Sequence, residues 1–131
     1  MGIGGIGTDI VEIERIKKVV QRKGDRFLNR IFTESERTFC SGRLDPFPCL
    51  AARFAAKEAV FKSLGTGLTG CRWIDVEVIR NGNVAPEIVL RGGAWELAQR
   101  TGIDRVLISI SHDRGRALAF ALAVKQGGVM A

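Results

Sequence analysis

MGIGGIGTDIVEIERI, residues 1–16, contains the spacing Gly2-x-Gly4-x-x-Gly7. That spacing matches the glycine fingerprint of dinucleotide-binding βαβ folds, which needs a strand ahead of the glycines, a helix opening at them and an acid about 20 residues on. Here the glycines begin at residue 2, no strand is predicted before them, and no parallel crossover pattern follows. Ile3 to Asp9 instead alternates apolar residues with glycine and reads as a short strand. Gly5 and Gly7 then allow another backbone or a ligand to approach closely at a strand end. Asp9 is either delivered by that strand or caps a helix predicted from Asp9 to about Arg22, with Glu12 completing the outline of a capping box.

Working outward, Gly24-Asp25 breaks this helix and a short second one runs through Phe27 and Ile31. Thr33-Glu34-Ser35-Glu36 is a fuller capping box and starts a third. Asp45-Pro46-Phe47-Pro48 is predicted as a loop, since each proline disfavours helical geometry before it. Leu50 to Leu64 is the strongest helix, with Gly65 suited to its C-terminal cap. The pattern then changes. Ile74, Val76 and Val78 alternate with Asp75 and Glu77, predicting a half-buried strand. Asn81-Gly82-Asn83 turns into a return strand, Glu87 to Leu90. A short helix over Ala94 to Arg100 stops near Gly102. Val106–Ser111 and Arg116–Val124 form two apolar strands around Asp113-Arg114-Gly115. Helices early and antiparallel hairpins late give an α+β fold, with N-terminal helices packed on an antiparallel sheet of hairpins. One domain over residues 1–125 and a flexible tail over 126–131 are expected.

The 131 residues carry a net charge of +6, with 46% hydrophobic and 26% charged residues. No apolar run approaches the ~20 residues that span a bilayer, so no membrane association is expected. The cysteines Cys40, Cys49 and Cys71 are scattered and lack a Cys-x-x-Cys pair, and there is one histidine. Free thiols in a reducing cytoplasm are expected, without zinc or a disulfide framework. The charge is concentrated. Arg15, Lys17, Lys18, Arg22, Lys23, Arg26 and Arg30 fall in one stretch with a single acid, Asp25. A basic patch on an otherwise neutral body implies an acidic partner.

In ARFAAKEAVFKSLGTG, residues 52–67, Phe54 and Phe61 point nearly the same way along a helix, and Glu58 lies about 40° from Phe54. Lys57 flanks the stripe on its other side. A carboxylate beside an apolar stripe must be paired or hold a metal. Pairing with Lys62 at i,i+4 is one solution. The other takes Asp9 and Glu58 as a two-carboxylate Mg²⁺ site beside phosphates, with Lys62 and Gly65-Thr66-Gly67 completing a phosphate clamp. That combination points to phosphoryl transfer.

The stretches GIGTDIVEIERI, RFAAKEAVFKSLGTG and SISHDRGRALAFALA, in this order, resemble the three blocks of the bacterial holo-acyl-carrier-protein synthases. These are the short, trimeric class of phosphopantetheinyl transferases. The resemblance covers about Ile3 to Val124. It implies transfer of phosphopantetheine from coenzyme A to a serine of apo acyl carrier protein, with release of adenosine 3′,5′-bisphosphate. On matching positions it implies Asp9 and Glu58 as Mg²⁺ ligands and Lys62 at the leaving phosphate. The base for the serine is Glu58, directly or through a metal-bound water, or a water alone. It implies coenzyme A contacts at Arg53, Gly65, Thr66, Gly67, Ser109, Ser111 and His112. It also implies docking of an acidic carrier on Arg15, Arg22, Arg26 and Arg30, to which the helical spacing adds Lys18. In the trimer Asp9, Glu58 and Lys62 come from one chain and His112 from its neighbour. Val11 stands where the larger monomeric class has another acid. The chain departs from the family at Gly82-Asn83-Val84-Ala85-Pro86, which is longer and lacks the usual base, leaving a ligand contact near Pro86 unassigned.

Two other readings compete. A basic nucleic-acid-binding module would explain the charge patch but not Glu58, and the chain has no tyrosine for stacking, so no nucleic acid partner is expected. A coenzyme A-binding domain without transferase activity is the second.

Overall fold

The computed structural model describes residues 2–126, so Met1 and most of the expected tail, 127–131, lie outside the described residues. Gln126 is held by its N–H on the carbonyl of Gly102 at 3.1 Å.

The first strand, β1 (Gly2–Glu12), is longer than its sequence suggests. It pairs antiparallel with the last strand, β5 (Arg116–Lys125), which pairs in turn with β4 (Ile103–His112), giving the order β1-β5-β4. The helix expected from Asp9 begins only at Ile13. In register, Asp9 faces Ala119, Ile10 faces Leu118 and Val11 faces Ala117. Val11 is buried while Ile10 and Glu12 are exposed, a period of two. Strand pairing with the far end of the chain therefore overrides the local helical signal, and no Asp9–Glu12 capping box forms. Helix α1 (Ile13–Lys23) then turns at Gly24, whose φ of 59° suits glycine, into α2 (Asp25–Ile31). Helix α3 (Glu34–Ser41) carries the capping box predicted at Thr33 and Glu36.

Helix α4 (Phe47–Ser63) lies across the inner face of the three-stranded sheet. It starts three residues before the predicted Leu50, because Pro48 falls in the first turn, where its missing N–H is no loss. Its end is a Schellman cap: the N–H of Gly65 reaches the carbonyl of Lys62, and that of Thr66 reaches Phe61. The contact with the sheet is small against small. Ala117, Ala119, Ala121 and Ala123 of β5 and Ala51, Ala55, Ala56 and Ala59 of α4 are all wholly buried. A Cβ on Gly5 would strike the carbonyl oxygen of Ser63, and one on Gly7 that of Ala59. The N-terminal glycines are thus a floor for a helix, as the close-approach reading expects. Glycine costs a strand about 0.5–1 kcal/mol per position relative to alanine, which this packing offsets.

A 3-10 turn at Trp73–Asp75 leads into a separate hairpin, β2 (Val76–Ile79) with β3 (Glu87–Leu90). Its polar side is not open to solvent. Glu77 is buried beneath Arg91, whose Nη1 donates to Oε1 at 2.6 Å, and beside Thr33, whose hydroxyl donates to Oε2 at 2.6 Å. Burial alone would raise the Glu77 pKa, but these bonds hold it below the usual carboxylate range. Helix α5 (Gly92–Thr101) ends at Gly102 with φ 77° and leads into β4. The fold is the α+β arrangement expected, with one addition: the two ends of the chain meet as neighbouring strands.

Candidate active site

Lys57 and Glu58, adjacent on α4, face opposite ways. Lys57 points into the core, where its Nζ lies 2.8 Å from Oε1 of Glu36 and both side chains are fully enclosed. It also donates to the carbonyls of Trp73 and Val76. Glu36 accepts in addition from the N–H groups of Thr33 and Val78. Burial pushes the Lys57 ammonium pKa down, and Glu36 opposes that shift.

Glu58 faces a cavity of about 370 Å³ that it lines with Asp9, Arg15, Phe27 and Phe54. Its pKa is raised, first by burial, then by the negative charge of Asp9, with Lys62 pulling the other way. Two carboxylates far apart in sequence thus share one cavity, and the charge of Asp9 adds to the cost of ionising Glu58. The pairing of Glu58 with Lys62 that helical spacing allows is not what forms. Lys62 turns to β1, donating to the carbonyl of Thr8 at 2.8 Å and lying 3.3 Å from Oδ1 of Asp9. Gly7 makes this possible: α4 sits so close above it that Lys62 reaches the next residues of the strand. Gly65, Thr66 and Gly67 follow at the same end of α4.

The donor set suits a small hard cation. Both groups are carboxylate oxygens, and Lys62 already rests against Asp9 as a cation. Among the described residues no cluster of three or more potential ligands occurs. Mg²⁺ commonly keeps several waters and takes one or two carboxylates plus phosphate oxygens.

A second cavity, about 310 Å³, is basic. Arg43, Arg53, Arg80 and His112 line it, with Pro86 at its wall. Arg53 is among the few charged residues that are buried. It is buried against the ring of Phe39, 4.4 Å from guanidinium to ring centre, and burial lowers its pKa. Its Nε is enclosed without a hydrogen-bond partner. Arg43 and Arg80 are residues that sequence reasoning missed, since single arginines beside turns carry no period. Arg80 precedes the hairpin turn and brings a base to the cavity that Pro86 borders.

The residues expected at the coenzyme A site therefore divide within one chain. Asp9, Glu58 and Lys62 gather at one place, and Arg53 and His112 at another. Ser109 and Ser111 alternate with Ile108, Ile110 and His112 along β4, so they occupy the opposite face of the sheet. That outer face is apolar and open: Ile6 is 60% exposed, Ile10 58% and Phe120 43%, with Leu107 and Leu118 beside them. On the basic helix, Arg15, Lys18 and Arg22 border one groove, and Arg15 also reaches the carboxylate cavity. Arg26 and Arg30 stand exposed, one turn apart on α2.

The model of the 4′-phosphopantetheinyl transferase superfamily matches residues 5–121. The chain belongs to this family. It is 50% identical over 120 residues to the holo-acyl-carrier-protein synthase of Desulforudis audaxviator, covering 92% of each. Among solved structures it is similar to the holo-acyl-carrier-protein synthase of Neisseria meningitidis, with a TM-score of 0.87, 35% identity and coverage of 95% of this chain and 100% of that one. It is likewise similar to the Helicobacter pylori synthase in complex with coenzyme A, with a TM-score of 0.80, 34% identity and coverage of 91% and 99%. The family, the α+β fold and the class of enzyme expected from the three sequence blocks are thus borne out. The free-thiol expectation is corrected: Cys40 and Cys49 are joined as a disulfide, because the end of α3 packs on the start of α4 and brings their Cα atoms to 5.5 Å. Among the described residues no helix is long and apolar enough to cross a membrane.

Proposed function

We propose that this chain transfers the phosphopantetheine arm of coenzyme A to a serine hydroxyl of apo acyl carrier protein, releasing adenosine 3′,5′-bisphosphate. The observation that carries this reading is the meeting of Asp9 and Glu58 in one cavity, with Lys62 on Asp9 and Arg15 of the basic helix at the rim.

Asp9 and Glu58 are the residues that would hold Mg²⁺ beside the phosphates of coenzyme A. When bound, the ion withdraws charge from the attacked phosphorus and from the leaving phosphate. The serine oxygen forms the new bond to the phosphorus that bears pantetheine, and the bond to the adenosine phosphate breaks. Glu58, directly or through a metal-bound water, is the acceptor of the serine proton in this reading, with a water alone as the alternative. Lys62 stands within reach of Asp9 and neutralises charge on the leaving phosphate. Arg53 and His112, with Arg43 and Arg80, give the nucleotide end of coenzyme A an anion-binding wall.

The chain works in the cytoplasm as a homotrimer with sites between subunits. The open apolar face of Ile6, Ile10, Leu107, Leu118 and Phe120 supports the assembly. The separation of His112 from the two carboxylates within one chain supports a shared site: one subunit supplies Asp9, Glu58 and Lys62, its neighbour His112. Ser109 and Ser111, on the apolar face, then lie at the junction, and Gly65, Thr66 and Gly67 run along the nucleotide. Arg15, Lys18, Arg22, Arg26 and Arg30 receive the acidic carrier.

Mixing the chain with coenzyme A, Mg²⁺ and apo carrier protein should add one phosphopantetheine to the carrier by intact mass, and omitting Mg²⁺ should abolish it. A carrier unchanged in mass in the complete mixture ends the transferase reading. Sedimentation should give three times the chain mass.

A further inference from the structure

Cys40 lies in the last turn of α3 and Cys49 in the first turn of α4. Cys40 is buried and borders an inner cavity beside Val20, Leu28 and Leu50. Cys49 is half-buried and forms part of the wall of the basic cavity. There Arg53 donates from Nη1 to its sulfur at 3.1 Å. One sulfur is therefore accessible and electropositively placed, and the other is sheltered directly behind it. A guanidinium beside a cysteine favours the thiolate, which is the reactive form. Cysteine pairs that bridge inside reducing compartments are usually transient, redox-sensing ones.

We propose that Cys49 is a site of reversible exchange with low-molecular-weight disulfides, that Cys40 resolves it, and that the bridge tightens the basic cavity on a phosphate-bearing ligand. In the first step the Cys49 thiolate attacks one sulfur of the small disulfide. A mixed disulfide forms, and the released thiolate takes up the proton that Cys49 lost. In the second, Cys40 gives up its proton and attacks the Cys49 sulfur, expelling the second small thiol. Two protein thiols are oxidised and one small disulfide is reduced to two thiols.

Two effects act in the same direction. In the reduced protein a Cys49 thiolate competes with a ligand phosphate for Arg53. In the bridged protein the sulfur is neutral, and the Arg53 Nη1 contact with it at 3.1 Å is that of a weak acceptor, which holds the guanidinium less firmly against a ligand phosphate than a thiolate would. The bridge also ties the end of α3, with Phe39 and Arg43 beside it, to the start of α4, with Ala52 and Arg53. A wall fixed before binding has less to lose on binding. This inference rests on the transferase reading, because the nucleotide end of coenzyme A is taken as the ligand.

The test uses the whole protein, reduced or treated with oxidised glutathione, and titrates each form calorimetrically with adenosine 3′,5′-bisphosphate. Glutathione treatment should leave Cys71 as the free thiol, with peptide mapping joining Cys40 to Cys49. The bridged form should bind three- to tenfold more tightly. Cys40→Ala should retain one glutathione on Cys49 and show no tightening. Failure of the bridge to form overturns the exchange site, as does glutathione absent from Cys49 in Cys40→Ala. Equal or weaker binding by the bridged form overturns the coupling while leaving the transferase reading intact. Binding by neither form overturns the coupling together with that reading, and the mass measurement still judges the bridge on its own.

Discussion

Lys57 and Glu58 are neighbours on one helix, yet they belong to opposite kinds of electrostatic environment. The Lys57–Glu36 pair is fully enclosed, and both partners are satisfied by further bonds to the backbone. Around Glu58 the balance is left open: two carboxylates face one cavity, and the single nearby ammonium sits on the other acid. Buried charges that are completely paired fix the arrangement of elements, here α3, α4 and the β2–β3 hairpin. Charges left incompletely paired keep a capacity to bind something else, and perturbed carboxylates in a cleft mark candidate chemistry. The helix uses one residue for each purpose, and the 100° between them separates the two environments.

The strongest way to break this comparison is Glu58→Gln. Transfer should fall by two to four orders of magnitude, the range associated with positioned acid–base groups. Thermal stability should be unchanged or slightly higher, because a charge held at a cost has been removed. Carrier mass against time and a melting curve check both halves, and transfer at the parental rate would remove Glu58 from the site. Lys57→Met should do the reverse. Breaking a buried pair by removing one partner costs about 3–5 kcal/mol, since Glu36 is left enclosed and uncompensated. Urea unfolding reads this directly. A cost under about 1 kcal/mol would mean that the pair contributes little to holding α4.

Gly7→Ala probes what brings the two environments' helix onto the strand. A Cβ there meets the carbonyl of Ala59 and the side chain of Lys62. Overpacking of this kind costs about 1–3 kcal/mol, and here it also moves Lys62 from Asp9. Stability and transfer should fall together, and a melting temperature equal to the parent's would show that α4 yields freely.

The sequence carried the three blocks, the α+β class, most element limits and the acids at positions 9 and 58. What it hid followed from contacts distant in the chain. Asp9 to Glu12 carries the outline of a capping box for the helix that follows, but pairing with residues 116–119 of β5 makes it strand. Glu77 alternates like a solvent-facing residue, yet Arg91 and Thr33 close over it. Cys40 and Cys49 carry no recognisable spacing, and only the packing of α3 on α4 joins them. Arg43 and Arg80 are isolated residues whose shared cavity exists only once the hairpin docks.

The two acids also separate by pH. The folded pKa of Glu77 is lowered, so its contribution to stability is present above its unfolded pKa and is lost as pH falls through the folded one. That of Glu58 is raised, so the folded state holds the proton more tightly than the unfolded chain. Its ionisation therefore costs stability as pH rises from the unfolded value through the folded one. Glu77→Gln should flatten the acid-side loss of stability, whereas Glu58→Gln should flatten the decline on the higher side. Melting temperatures across pH measure both, and matching slopes in the parent and Glu58→Gln would contradict the shift.

The smallest effect expected belongs to Arg15, which lies where the two regions of charge meet the solvent. It shares a groove with Lys18 and Arg22 and also touches the carboxylate cavity. Charges at the rim of an interface mainly raise the encounter rate and make it depend on salt. Arg15→Glu should therefore raise the KM for carrier protein by roughly three- to tenfold at low salt, on the order of 1 kcal/mol, and leave kcat nearly unchanged. Raising ionic strength should shrink the difference, because screening shortens the reach of both the native and the reversed charge. Reversal at Lys125, an exposed base away from this helix, supplies the control. An equal effect there would assign the change to net charge. A fall in kcat instead of a rise in KM would place Arg15 within the carboxylate site and not at its rim.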